Sequence, residues 1–119
     1  MIDYKDIDSF IEQNREALVR DIGRIVAVPS VEGPAEPDAP FGKEPKRALE
    51  LGLQIAAELG LETRNFENRI GCGEVRGESD KYLATITHVD VVPAGEGWTA
   101  DPFTMREREG WILGRGVLD

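Results

Sequence analysis

His88 and Asp90 stand two residues apart in the run His88-Val89-Asp90-Val91-Val92-Pro93, and His88 is the sole histidine of the 119-residue chain. In an extended strand, residues i and i+2 project to the same side. An imidazole and a carboxylate placed side by side can share a proton. The carboxylate then fixes the tautomer of the ring, and the second ring nitrogen can hold a metal ion. A third acid, Asp119, closes the run Gly114-Arg115-Gly116-Val117-Leu118-Asp119. Taken singly, these residues are ordinary. An isolated His-x-Asp is common, a lone histidine near a strand end is most often a surface or satisfied core residue, and an aspartate at a chain end is usually just solvated. Trp98 and Trp111 likewise read as packing aromatics.

The elements that must position these residues follow from periodicity. From about Asp3 to Val28 the apolar residues Ile7, Phe10, Ile11, Leu18, Ile22, Ile25 and Val26 recur at helical spacing, which predicts one long amphipathic helix ended by Pro29. Residues 29 to 45, with Pro29, Pro34, Pro37, Pro40 and Pro45, read as an extended structural loop. A second helix is expected from about Pro45 to Leu59, with Gly60 as its left-handed terminator. Strands are expected at Leu61 to Phe66, Cys72 to Arg76 and Tyr82 to Thr87. The last of these, Tyr-Leu-Ala-Thr-Ile-Thr, is nearly uncharged and β-rich, as an interior strand would be. Thr104 to Arg108 and Trp111 to Gly114 flank Glu109-Gly110 and read as a hairpin. Helices alternating with strands predict an α/β fold, a layered sheet with flanking helices. His88 and Asp90 would then sit at the C-terminal edge of an interior strand, where open α/β sheets place their ligand crevices.

Composition narrows the class. A length of 119 residues fits one modest domain. The net charge of -9 argues against nucleic-acid binding, which needs a basic face, and against anionic membrane surfaces. No apolar stretch approaches the roughly 20 residues needed to span a bilayer. The start, Met1-Ile2-Asp3-Tyr4-Lys5-Asp6, lacks the basic and apolar regions of a signal peptide. Cys72 is alone, so no internal disulfide forms, and a cytoplasmic location is expected.

The order of motifs supplies more than any single residue. An apolar strand is followed by His88-Val-Asp90-Val-Val-Pro93-Ala-Gly95, then Gly97-Trp98, Asp101-Pro102-Phe103, a hairpin, and Gly114-Arg-Gly-Val-Leu-Asp119. This resembles the co-catalytic metallopeptidase superfamily of aminoacylases, succinyl-diaminopimelate desuccinylase, glutamate carboxypeptidases and dipeptidases. Upstream, Val26 to Val31, Ala39-Pro40-Phe41-Gly42, the Ala48-Leu49 helix and Asn68-Arg69-Ile70-Gly71 resemble the peptidase V branch of bacterial dipeptidases. Cys72-Gly73-Glu74 departs from the aromatic- or histidine-containing sequence of that branch.

The resemblance implies roles. His88 would be a terminal ligand to one metal, Asp119 the carboxylate bridging two metals, and Asp90 the catalytic-site carboxylate that orients His88. A bridging carboxylate can give one oxygen to each ion of a pair about 3.5 to 4 Å apart, and such a pair lowers the pKa of a bound water toward roughly 7. The cofactors implied are two divalent ions, zinc first, with manganese or cobalt as alternatives. The substrate implied is a dipeptide, cleaved by the metal-activated water. In the family the general base, the remaining ligands and an inserted lid or dimerisation domain lie beyond the position of Asp119. Residues 1-119 are thus expected to be the incomplete N-terminal part of a catalytic domain, inactive alone. Two other readings stay open at this point: an aminoacylase or desuccinylase-type amide hydrolase, which the same motifs would serve, and a non-catalytic α/β binding module.

Overall fold

The computed structural model describes residues 3–118. Asp119, assigned above as the bridging carboxylate, therefore lies outside the described residues.

The long N-terminal helix is two helices. Helix α1, Tyr4–Gln13, starts at Asp3, whose carboxylate accepts from the backbone N–H of Lys5 at 3.1 Å. Helix α2, Arg15–Val26, follows after Asn14. At the break Asn14 leaves helical geometry, with φ -103 and ψ 6, and both its backbone N–H, at 3.1 Å, and its side chain, at 2.8 Å, donate to the Phe10 carbonyl. Pro29 lies just past the end of α2, as the sequence predicts.

Residues 29–42 form a compact fold-back rather than an extended loop. Gly33 N–H donates to the Phe41 carbonyl at 2.9 Å, and Glu36 pairs with Ala39 in an antiparallel bridge. Helix α3, Lys43–Glu58, begins slightly earlier than expected and ends as expected. Gly60, at φ +90, donates to Ala57 O, and Leu61 N–H donates to Ala56 O. These two bonds satisfy the last carbonyls of the helix in a Schellman arrangement. Arg24 ties α2 to α3 with two bonds to Glu58 at 2.6 and 3.0 Å, and bonds Asp21 at 3.1 Å.

Strands β1, Glu62–Phe66, and β2, Ile70–Glu74, pair as an antiparallel hairpin beneath α3. The packing explains why β2 reads Gly-Cys-Gly. A Cβ at Gly71 would lie 2.8 Å from Leu53 Cδ2 and 2.9 Å from Leu49 Cδ1, so a side chain there would have to push these two leucines of α3 aside. Asn68 Nδ2 donates to the Asp38 carbonyl at 2.7 Å and anchors the hairpin turn to the fold-back. The second hairpin, β3 (Arg106–Arg108) and β4 (Trp111–Leu113), turns at Glu109 and Gly110, both at positive φ.

The described residues thus combine helix and sheet, with two separate two-stranded antiparallel sheets in place of the single layered sheet expected. The difference lies at Tyr82 to Thr87. This segment joins no ladder among the described residues, and Tyr82, Leu83 and Ile86 are 83%, 97% and 99% exposed. A β-rich, uncharged sequence becomes an interior strand only when it has a neighbour on each side, and β2 is paired to β1 alone. No helix among the described residues is long and apolar enough to cross a membrane.

Candidate metal centre

Ser30 fixes the backbone beneath the His88–Asp90 pair. Although polar, it is 1% exposed. Its Oγ donates to the Val89 carbonyl at 2.7 Å, and its own carbonyl accepts from Val91 N–H at 3.2 Å. One residue after Pro29 thereby grips the chain on both sides of Asp90. His88 Nδ1 lies 3.1 Å from the Asp90 carbonyl oxygen and 3.3 Å from Asp90 Oδ1. In the tautomer with the proton on Nδ1, the ring donates toward Asp90, and Nε2 is the nitrogen with which the imidazole would hold a metal. The side chains are 59% and 65% exposed, so their mutual attraction is weak and the pairing depends on the backbone that presents them.

The Gly114–Leu118 run approaches the same place. Arg115 N–H donates to the Pro102 carbonyl at 2.7 Å. That carbonyl is presented by a tight turn in which Asp101 accepts from Phe103 N–H and from the Thr104 hydroxyl, each at 2.9 Å. Both bonds, the backbone one foremost, hold the Asp101 carboxyl below its usual range. Gly116 has φ +85, and a Cβ there would lie 2.7 Å from Val91 Cγ1. At this positive φ glycine is the residue that lets the run pass so close to Val91.

The half-buried Arg115 guanidinium lies 5.5 Å from the centre of the Trp98 ring. Its Nη2 donates to the Ala94 carbonyl at 3.0 Å, and Trp98 Nε1 donates to the same oxygen at 2.8 Å. Arg115 Nε is buried with no hydrogen-bond partner among the described residues, at a cost of roughly 1–3 kcal/mol. The stack on Trp98, worth about 0.5–2 kcal/mol, offsets part of that cost. A cavity of about 230 Å³ lies between the two runs, lined by Ser30, His88, Asp90, Arg115, Gly116 and Leu118.

The structure thus brings His88 and Asp90 together and sets the run that continues into Asp119 beside them. Their donor chemistry fits a divalent ion held through the imidazole, with the carboxylate behind it. Among the described residues no group of three or more His, Cys, Asp or Glu side chains gathers as a metal cage. Ser30, Trp98 and Arg115 are the residues that motif reading left aside. Their contacts join positions far apart in the chain, and spacing carries no signal of that.

Fold and site define a mixed helix-and-sheet chain with a carboxylate-backed histidine. Sequence comparison gives its kin. No family model matches. The chain is 42% identical over 111 residues to the Beta-Ala-Xaa dipeptidase of Lactobacillus delbrueckii subsp. lactis, a match covering 91% of this chain. It is 38% identical over 109 residues to YtjP of Bacillus subtilis, provisionally named a dipeptidase, which covers 90% of this chain. A protein of Staphylococcus aureus with a similar provisional name is 35% identical over 111 residues, covering 92% of this chain. The chain spans 23%, 23% and 24% of the lengths of these relatives. Along most of its own length it is similar to these curated dipeptidases, in agreement with the resemblance to the peptidase V branch that its sequence carries.

Proposed function

We propose that the chain contributes the first metal-binding residues of a two-metal dipeptidase. The observation that carries this reading is the 42% identity to a dipeptidase, sustained across 91% of the chain. The paired His88 and Asp90 support it chemically. His88 would hold one metal through Nε2, Asp90 would accept a hydrogen bond from Nδ1–H and keep the ring in register, and Asp119 would supply a carboxylate to the metal pair. When bound, the two divalent ions, zinc first and manganese or cobalt otherwise, supply an activated water and stabilise charge on the scissile carbonyl. The substrate is a dipeptide. Ser30 and Gly116 hold the two ligand-bearing runs at close range, and the chain adds no further cage of ligands among its described residues.

Two measurements test this. The 119-residue chain should bind Zn²⁺ weakly and show no dipeptide turnover, because zinc sites need three or four protein ligands. A protein spanning the full length of the relatives should hydrolyse dipeptides and lose that activity on His88→Ala. Turnover by the 119-residue chain that vanished in His88→Ala would overturn the inactive-part reading. Rapid deacylation of N-acyl amino acids by the long protein, without dipeptide cleavage, would move the assignment to an aminoacylase or desuccinylase-type hydrolase.

A further inference from the structure

We propose that Arg115 is a positioning residue for the His88–Asp90 pair, acting with Trp98 through the carbonyl of Ala94; the proposal rests on the metal-centre reading above. The run that carries His88 and Asp90 is secured at Val89 and Val91 by Ser30. Beyond Val91, the carbonyl of Ala94 is where it is held next, and this oxygen accepts twice. The bond from Trp98 Nε1 spans four residues and closes the Pro93–Gly97 turn on itself. The bond from Arg115 Nη2 spans 21 residues and joins that turn to the run that continues into Asp119.

The Ala94 contact therefore sets the separation between the chain that bears the histidine ligand and the chain that bears the bridging carboxylate. Gly116, packed on Val91, completes the joint from the other side. The joint is kept although Arg115 Nε is buried without a partner among the described residues, a local conflict of the kind that marks functional positions. Arginine suits the task because its planar group can lie over the Trp98 ring while its edge donates to Ala94. A lysine ammonium can reach the carbonyl but cannot stack as a plane.

His88 is the sole histidine, so its ring gives a single set of proton NMR signals that report directly on the site. The 119-residue chain, kept monomeric by Ile86→Lys at a side chain that is 99% exposed, is compared with the same chain bearing Arg115→Ala, Arg115→Lys or Trp98→Phe, first without metal and then with added Zn²⁺. In the metal-free spectra, Arg115→Ala should shift or broaden the His88 ring signals and the amides of residues 88–94, while the amides of α3 stay in place. Arg115→Lys should restore part of the wild-type position. Trp98→Phe, which keeps a ring but loses the donor to Ala94, should give a smaller shift in the same signals. With Zn²⁺, the affinity read from the His88 signal should fall about tenfold in Arg115→Ala, as for other residues that support a ligand from behind. Unchanged His88 signals in metal-free Arg115→Ala overturn the proposal. If that variant does not fold, unchanged His88 signals in Trp98→Phe overturn it. A wild-type His88 signal that ignores Zn²⁺ would instead sink the metal-centre reading, and the metal-free spectra would still decide whether Arg115 positions the ring.

Discussion

His88 and Asp90 are both more than half exposed, and an ion pair in that setting is worth little by attraction alone. Their contact persists through the backbone that Ser30 grips from the far side of the chain, 59 positions from Val89. The role given to Asp90 is therefore mainly one of orientation. Replacing it by asparagine keeps the shape and an acceptor oxygen but removes the negative charge behind the ring. Asp90→Asn should lower Zn²⁺ affinity by about 10- to 100-fold, measured by titration calorimetry, and leave the thermal midpoint nearly unchanged. An affinity equal to the wild type would remove Asp90 from the centre. The closeness of His88 and Asp90 was legible from their i, i+2 spacing, although the segment before them joins no ladder among the described residues. Spacing gave no sign of the Ser30–Val89 bond or of the Arg115 contacts with Ala94 and Trp98, which join distant parts of the chain.

One guanidinium bridges α2 and α3. Arg24 holds Glu58 by two bonds and Asp21 by a third, and Gln54 adds another to Glu58. The Arg24 bonds, with that from Gln54 behind them, pull the Glu58 carboxyl from 4.5 down to about 2. A carboxyl with a depressed pKa in the folded state stabilises the fold above its unfolded value, and that contribution is lost as acid protonates it. The thermal midpoint should therefore fall as pH drops from about 4.5 toward 2. Glu58→Gln should melt lower than the wild type near neutrality and flatten this part of the acid profile. Parallel profiles for the two proteins would show that the pair contributes nothing measurable. Helix ends of this kind were legible, Gly60 and Pro29 especially, because they obey local rules. The break at Asn14 was not: the apolar spacing runs straight through it, while the backbone of Asn14 leaves helical geometry at φ -103 and ψ 6.

At the scale of the whole molecule, the chain is flat and open. Its principal extents are 48 × 41 × 19 Å and its radius of gyration is 16.4 Å, against roughly 13.5 Å for a compact domain of this length. The buried apolar side chains are small ones, Val26, Val28, Ala39 and Ala48, while Leu83 and Ile86 are almost wholly exposed. Composition predicted an interior strand at Tyr82 to Thr87, and the segment joins no ladder among the described residues. Strand pairing, however, is a property of neighbours, and a sequence window contains none of them. The apolar groove of about 660 Å³ between α3, β2 and residues 86–90 lies beside this unpaired segment. An uncharged, β-rich segment with free backbone groups is a template for pairing with another chain. The 119-residue chain should accordingly self-associate at micromolar concentration and unfold over a broad thermal range. Ile86→Lys should raise the monomer fraction in sedimentation without lowering the thermal midpoint, since that side chain is 99% exposed and has little packing to lose. A wild-type chain that sediments as one monomeric species and melts in a single sharp transition would show that the segment is satisfied within the chain, against the exposure its structure displays.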